Sequence, residues 1–135
     1  MRIIVPPITR PIRLTDYAPE LVREGGEPIT VWVWVNPPAR MIDEMQGLRA
    51  RSVVVRDQLQ TIPAGDLAPE IKAISDDVSR WYAAIWSQHA DPATHWTAED
   101  VLALDGSETD PALGGWLKGR TWDAINAHRS AQKKA

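Results

Sequence analysis

Ile29-Thr30-Val31-Trp32-Val33-Trp34-Val35 is β-branched or aromatic at every position and runs directly into Asn36-Pro37-Pro38. A run of that composition is a strand, and the prolines end it where they stand. Period-two alternation puts Ile29, Val31, Val33 and Val35 on one face and Thr30, Trp32 and Trp34 on the other. Neither face is polar, so both need cover. From Met1 to Leu14, Pro6, Pro7 and Pro11 forbid a helix while Ile3, Ile4, Val5, Ile8, Ile12 and Leu14 keep the segment apolar. The partner strand is therefore expected between Arg2 and Leu14, from the same chain or from a second subunit. Between the two, Pro19 to Arg23 reads as one helical turn stopped by Gly25-Gly26.

Everything after Pro38 carries helical periodicity. Asn36 is a good N-cap and proline is tolerated at the first helical position, so a helix is expected to start here and run to about Gln60. Met41, Met45, Leu48, Val55 and Leu59 form its inner stripe. After the loop Thr61 to Asp66, Ile71, Ile74, Val78, Trp81, Tyr82, Ile85 and Trp86 trace a second, broader stripe that stops near His89. Thr97 with Asp100 three residues on reads as a capped start for a short helix, Ala98 to Leu104. Past the loop Asp105 to Thr109, Asp110-Pro111 restarts a helix whose inner face holds Leu113, Trp116 and Leu117. Gly114, Gly115 and Gly119 make it pliable. Thr121 is expected to re-cap a last helix bearing Trp122 and Ile125. The fold class is mainly α with a small N-terminal β element (α+β), a helical bundle-like core of about four helices. One domain spans residues 1–135: an extended and β part over 1–36, a helical part over 37–130 and a polar tail over 131–135.

Seven tryptophans and no phenylalanine mean that a few indoles supply most of the aromatic burial. The absence of cysteine excludes disulfides and thiolate chemistry. No apolar run is long enough for a signal peptide or a membrane span, which points to the cytoplasm. A formal charge of −3, with the basic residues spread along the chain, disfavours a nucleic-acid partner. Local exceptions are Arg2, Arg10 and Arg13 at the start and Arg129, Lys133 and Lys134 at the end.

No catalytic, cofactor-binding or metal-ligating residues are assigned. His89, Asp91 and His95 match no zinc spacing and read as turn polarity. The adjacent acids Asp76-Asp77 and Glu99-Asp100 point in different directions on a helix, and Glu99-Asp100 suits a helix start. No nucleophile elbow, phosphate loop or His-Glu-x-x-His occurs. The candidate partner-binding residues are Trp32 and Trp34, which share a strand face, and Met41, Met45 and Leu48, the first stripe of the helix that follows. The alternative for the two indoles is that they sit between strand and helices as core.

In organisation the chain resembles a small tail assembly chaperone of long-tailed bacteriophages. The features are a Pro-rich extended start, a strand running into Val35-Asn36-Pro37-Pro38, and a helical remainder ending in a polar tail. The resemblance implies a non-enzymatic protein of the host cell cytoplasm that coats the tape measure protein, delivers tail tube protein and needs no cofactor. It also implies a frameshifted longer form, for which Gln132-Lys133-Lys134 permits a slippery codon choice. A virion structural adaptor such as a head-to-tail connector, forming a homo-oligomeric ring, is the alternative.

Overall fold

The computed structural model describes residues 3–23, 25–107 and 110–134, Lys134 by its backbone only. The expectations placed on Arg2, Glu108, Thr109 and the Lys134 side chain lie outside them. Strand β1 (Thr9–Arg13) pairs antiparallel with β2 (Thr30–Trp34), in a register that sets Thr9 opposite Trp34, Pro11 opposite Trp32 and Arg13 opposite Thr30. The Leu14 N–H donates to the Ile29 carbonyl and the Val35 N–H to the Ile8 carbonyl, so bonded pairs fall at the even positions of β1. Pro11 therefore occupies an outward position, where its missing N–H removes nothing from the ladder. Val31, Val33 and Val35 are wholly buried and face the core with Ile12 and Leu14. Trp32 and Trp34 lie half-buried on the other face.

The strand connection differs from the expected helical turn at Pro19 to Arg23. Val22 is drawn into a bridge with Pro28, and the Arg23 N–H donates to the Glu27 carbonyl. That extended pairing prevents a helix from propagating. Gly25 and Gly26 close the turn at φ 99° and 83°, a region other residues avoid.

Helix α1 spans Ala39–Gln58, starting later than expected, with Pro38 rather than Asn36 at the N-cap. Each proline holds the preceding residue extended, so helical geometry waits until both have passed. The Asn36 side chain is engaged by the N-terminal segment instead, where its Oδ1 accepts from the Ile8 N–H at 2.6 Å and its Nδ2 donates to the Pro6 carbonyl at 3.2 Å. Helix α2 spans Ala68–Ile85, and α3 spans Ala98–Asp105 with the Thr97/Asp100 capping box in place. Helix α4, Ala112–Lys134, is one unbroken helix, which corrects the re-capping at Thr121 and carries the polar residues 131–134 in the same helix. Thr121 is fully buried; its Oγ1 donates to the Leu117 carbonyl at 2.8 Å and accepts from Trp86 Nε1 at 3.0 Å. Its hydroxyl bonds back into the helix and is no cap.

The core gathers the buried sheet face, Met41, Met45 and Leu48 of α1, Trp81, Tyr82, Ile85 and Trp86 from α2 and its C-cap, Val101 of α3, and Leu113, Leu117 and Ile125 of α4. A separate small cluster of Val55, Leu67 and Ile74 closes the far end of the α1–α2 pair. Leu59 and Ile71, expected on inner stripes, are 40% and 39% exposed there. Gly114 brings α4 against the end of α3: a Cβ on it would collide with the Asp105 carboxylate, which also binds Lys118 Nζ at 2.6 Å.

Candidate partner-binding groove

Helices α1 and α2 are separated along part of their length by a groove of about 720 Å³. Its cause is in the sequence. Gly47 on α1 and Ala84 on α2 bring little bulk to the space between the helices, and a Cβ on Gly47 would meet nothing within 4 Å. The floor is apolar: Met41 and Leu48 are one helical face at i and i+7, opposite the buried edge of Trp81. Trp81 is fixed by an indole N–H donated to the Met41 carbonyl at 2.7 Å and by stacking on Trp122 of α4, with centroids 5.2 Å apart and planes 10° apart. Arg49 lies over the Trp122 ring at 4.6 Å, a cation–π contact that holds the stack from the α1 side.

The rim is charged. Asp77 sits between Arg51, at 3.1 Å, and Arg80, which also bonds it. Hydrogen bonds from Arg51 and then Arg80 hold its carboxyl below the usual aspartate value, against the opposing effect of desolvation. Glu44, the other rim acid, is in no ion pair among the described residues. An apolar floor with an arginine-and-carboxylate rim is suited to an amphipathic segment that buries one face and keeps polar edges wet.

The residues singled out from sequence do not form one surface. Met41 and Leu48, each 8% exposed, line the groove, whereas Met45, at 3%, points into the core. Trp32 lies against His89, stacked at 4.3 Å with planes 22° apart. Trp34 lines a second cavity of about 670 Å³ between the start of α1 and the end of α4, with Ile42, Gln46 and His128. Trp34 Nε1 and His128 Nε2 are buried without a hydrogen-bond partner among the described residues. Sequence reasoning missed Trp81 as part of the floor and the Arg51–Asp77–Arg80 rim. The available signal was Gly47, a residue without a side chain in the middle of the first long helix.

The loop histidines make local bonds. His89 Nδ1 accepts from the Asp91 N–H at 3.1 Å, and His95 Nε2 lies 2.7 Å from the His89 carbonyl oxygen. Asp91 Oδ1 accepts from the Ala93 N–H at 3.0 Å. Among the described residues no group of three or more side chains is placed to hold a metal ion. No helix there is long and apolar enough to cross a membrane. No family model matches the chain, and neither a curated protein nor a solved structure matches it.

Proposed function

We propose that the chain is a non-enzymatic phage tail assembly chaperone of the host cell cytoplasm. It holds an apolar helical segment of the tape measure protein in the α1–α2 groove and delivers tail tube subunits to it. The observation that carries this reading is the groove itself, with Met41, Leu48 and Trp81 beneath and Glu44, Arg51, Asp77 and Arg80 at its edges. A protein built on long apolar heptads aggregates unless its seams are covered, and a helix laid into such a groove covers them at i, i+4 and i+7 anchors. The partners are those that the resemblance in organisation implies; the groove supports the chemistry of the grip.

The test is refolding of a tape measure segment by dilution from denaturant, followed by light scattering. The chain should suppress scattering near equimolar ratio. Gly47→Trp, which fills the groove from an open position, should fold and fail to suppress. Equal suppression by both proteins would move the grip elsewhere, and suppression by neither would end the chaperone reading.

A further inference from the structure

Ile3, Ile4 and Val5 stand 80%, 80% and 71% exposed, three consecutive branched aliphatic residues in water. A soluble surface rarely carries such a run without something to cover it. The chain holds them out by construction. Asn36 clamps the Pro6 carbonyl and the Ile8 N–H, and Pro6-Pro7 between those points fixes two φ angles. The arm thus leaves the sheet from a pinned and stiffened root.

Its own groove is out of reach. Val5 lies with Trp34, Ile42 and Gln46 on one flank of α1, while Met41, Glu44, Leu48 and Arg51 present the groove on another. Residues 3–5 extend at most about 10 Å from Pro6, no more than the width of a helix with its side chains, about 10–12 Å. Strand addition along the free edge of β1 is disfavoured as well, because Pro11 faces that edge without an N–H.

The groove matches the arm in chemistry. Its floor is apolar, Gly47 leaves it open, and its one rim acid outside an ion pair among the described residues, Glu44, has a cationic counterpart. The first fifteen residues carry Arg2, Arg10 and Arg13 and no acid. We propose that Ile3–Val5 of one copy seats in the α1–α2 groove of a second copy, the acid-free, basic N-terminal segment complementing the charge of Glu44. Arm and groove are different patches, so the contact is heterologous and propagates from copy to copy until it closes. This goes beyond the partner-binding reading and does not depend on it. If both hold, self-association and partner capture compete for one groove, and the free protein keeps its apolar surface covered until a partner arrives.

Sedimentation velocity of the full chain alone should show an average mass that rises with concentration and falls with added salt. Ile4→Asp changes a residue exposed to solvent, and Gly47→Trp fills the groove. Each variant should sediment as a monomer, with a melting temperature no lower than that of wild type at dilutions where wild type is monomeric too. Mixed together they should form a one-to-one heterodimer, since the first keeps a working groove and the second a working arm. A wild-type chain monomeric at every concentration, association untouched by either change, or no heterodimer in the mixture would each overturn the proposal. Ile4→Asp also separates the two readings, because its groove is intact. Failure to capture a tape measure segment, with the heterodimer still formed, would remove the partner reading alone.

Discussion

Replacing Thr121 by valine removes one hydroxyl and keeps the shape of the side chain. The position is fully buried, as is Trp86, whose indole N–H donates to that hydroxyl at 3.0 Å. Valine leaves the N–H without an acceptor and without access to water, a desolvation cost of about 1–3 kcal/mol. The Leu117 carbonyl loses less, since the backbone of α4 continues to bond it. Serine is the control: it keeps both hydrogen bonds and gives up one buried methyl, about 1 kcal/mol with the small cavity included. For 135 residues the unfolding entropy near the midpoint is about 0.28 kcal/mol/K, so 1 kcal/mol corresponds to about 3.5 °C in Tm. Thr121→Val should therefore melt about 7 °C below wild type and Thr121→Ser about 3.5 °C below, at a central cost of about 2 kcal/mol for valine. Thermal unfolding followed by far-UV circular dichroism reads both. A valine variant as stable as the serine variant would refute the argument that the Trp86 bond, rather than packing, holds α2 to α4.

Alanine at Gly115 or Gly119, where a Cβ meets nothing, should stabilise by about 0.5–1 kcal/mol, whereas Gly114→Ala should gain less, because its Cβ makes the Asp105 carboxylate swing aside from Lys118. Denaturant melts of the three variants give the contrast, and an equal gain at all three positions would undo it. Because the Asp77 pKa is lowered in the folded chain, its contribution to stability is fully present above the unfolded value of 3.8 and is lost as pH falls through the lower folded value. Wild type and Asp77→Asn should thus differ at neutral pH and converge in acid. An NMR titration placing the Asp77 carboxyl at or above its ordinary value would remove the Arg51–Asp77–Arg80 rim.

The strand pair was legible from residues because only one segment of the chain could complement Ile29 to Val35, and the prolines confined it. The short helix after Thr97 was legible for a different reason: its cap is local, with donor and acceptor three residues apart. Thr121 and Asn36 misled because their partners are remote. A threonine ahead of an apolar residue looks like a cap until Trp86, thirty-five positions earlier in the chain, claims its hydroxyl. Asn36 looks like a cap until Pro6 and Ile8 occupy both ends of its amide. The groove was illegible for the same reason, since Gly47 and Ala84 become a gap only once α1 and α2 are known to face each other.

Two clusters of unequal size lie along the α1–α2 pair, and that division sets a hierarchy of opening. Val55, Leu67 and Ile74 make a cluster of three, flanked by solvent-facing Val54, Leu59 and Ile71, whereas the amides around Trp86, Leu117 and Ile125 lie inside the main body. Amide protons from about Val55 to Ile74 should exchange with solvent through local excursions of the hairpin tip, those around Trp86 and Leu117 only when the whole domain unfolds. The groove lies between these two regimes: Leu48 and Trp81 are tied to the slow side, Arg51 leads toward the fast one. Its far end can therefore widen for a bulky segment while the floor stays in register with the sheet.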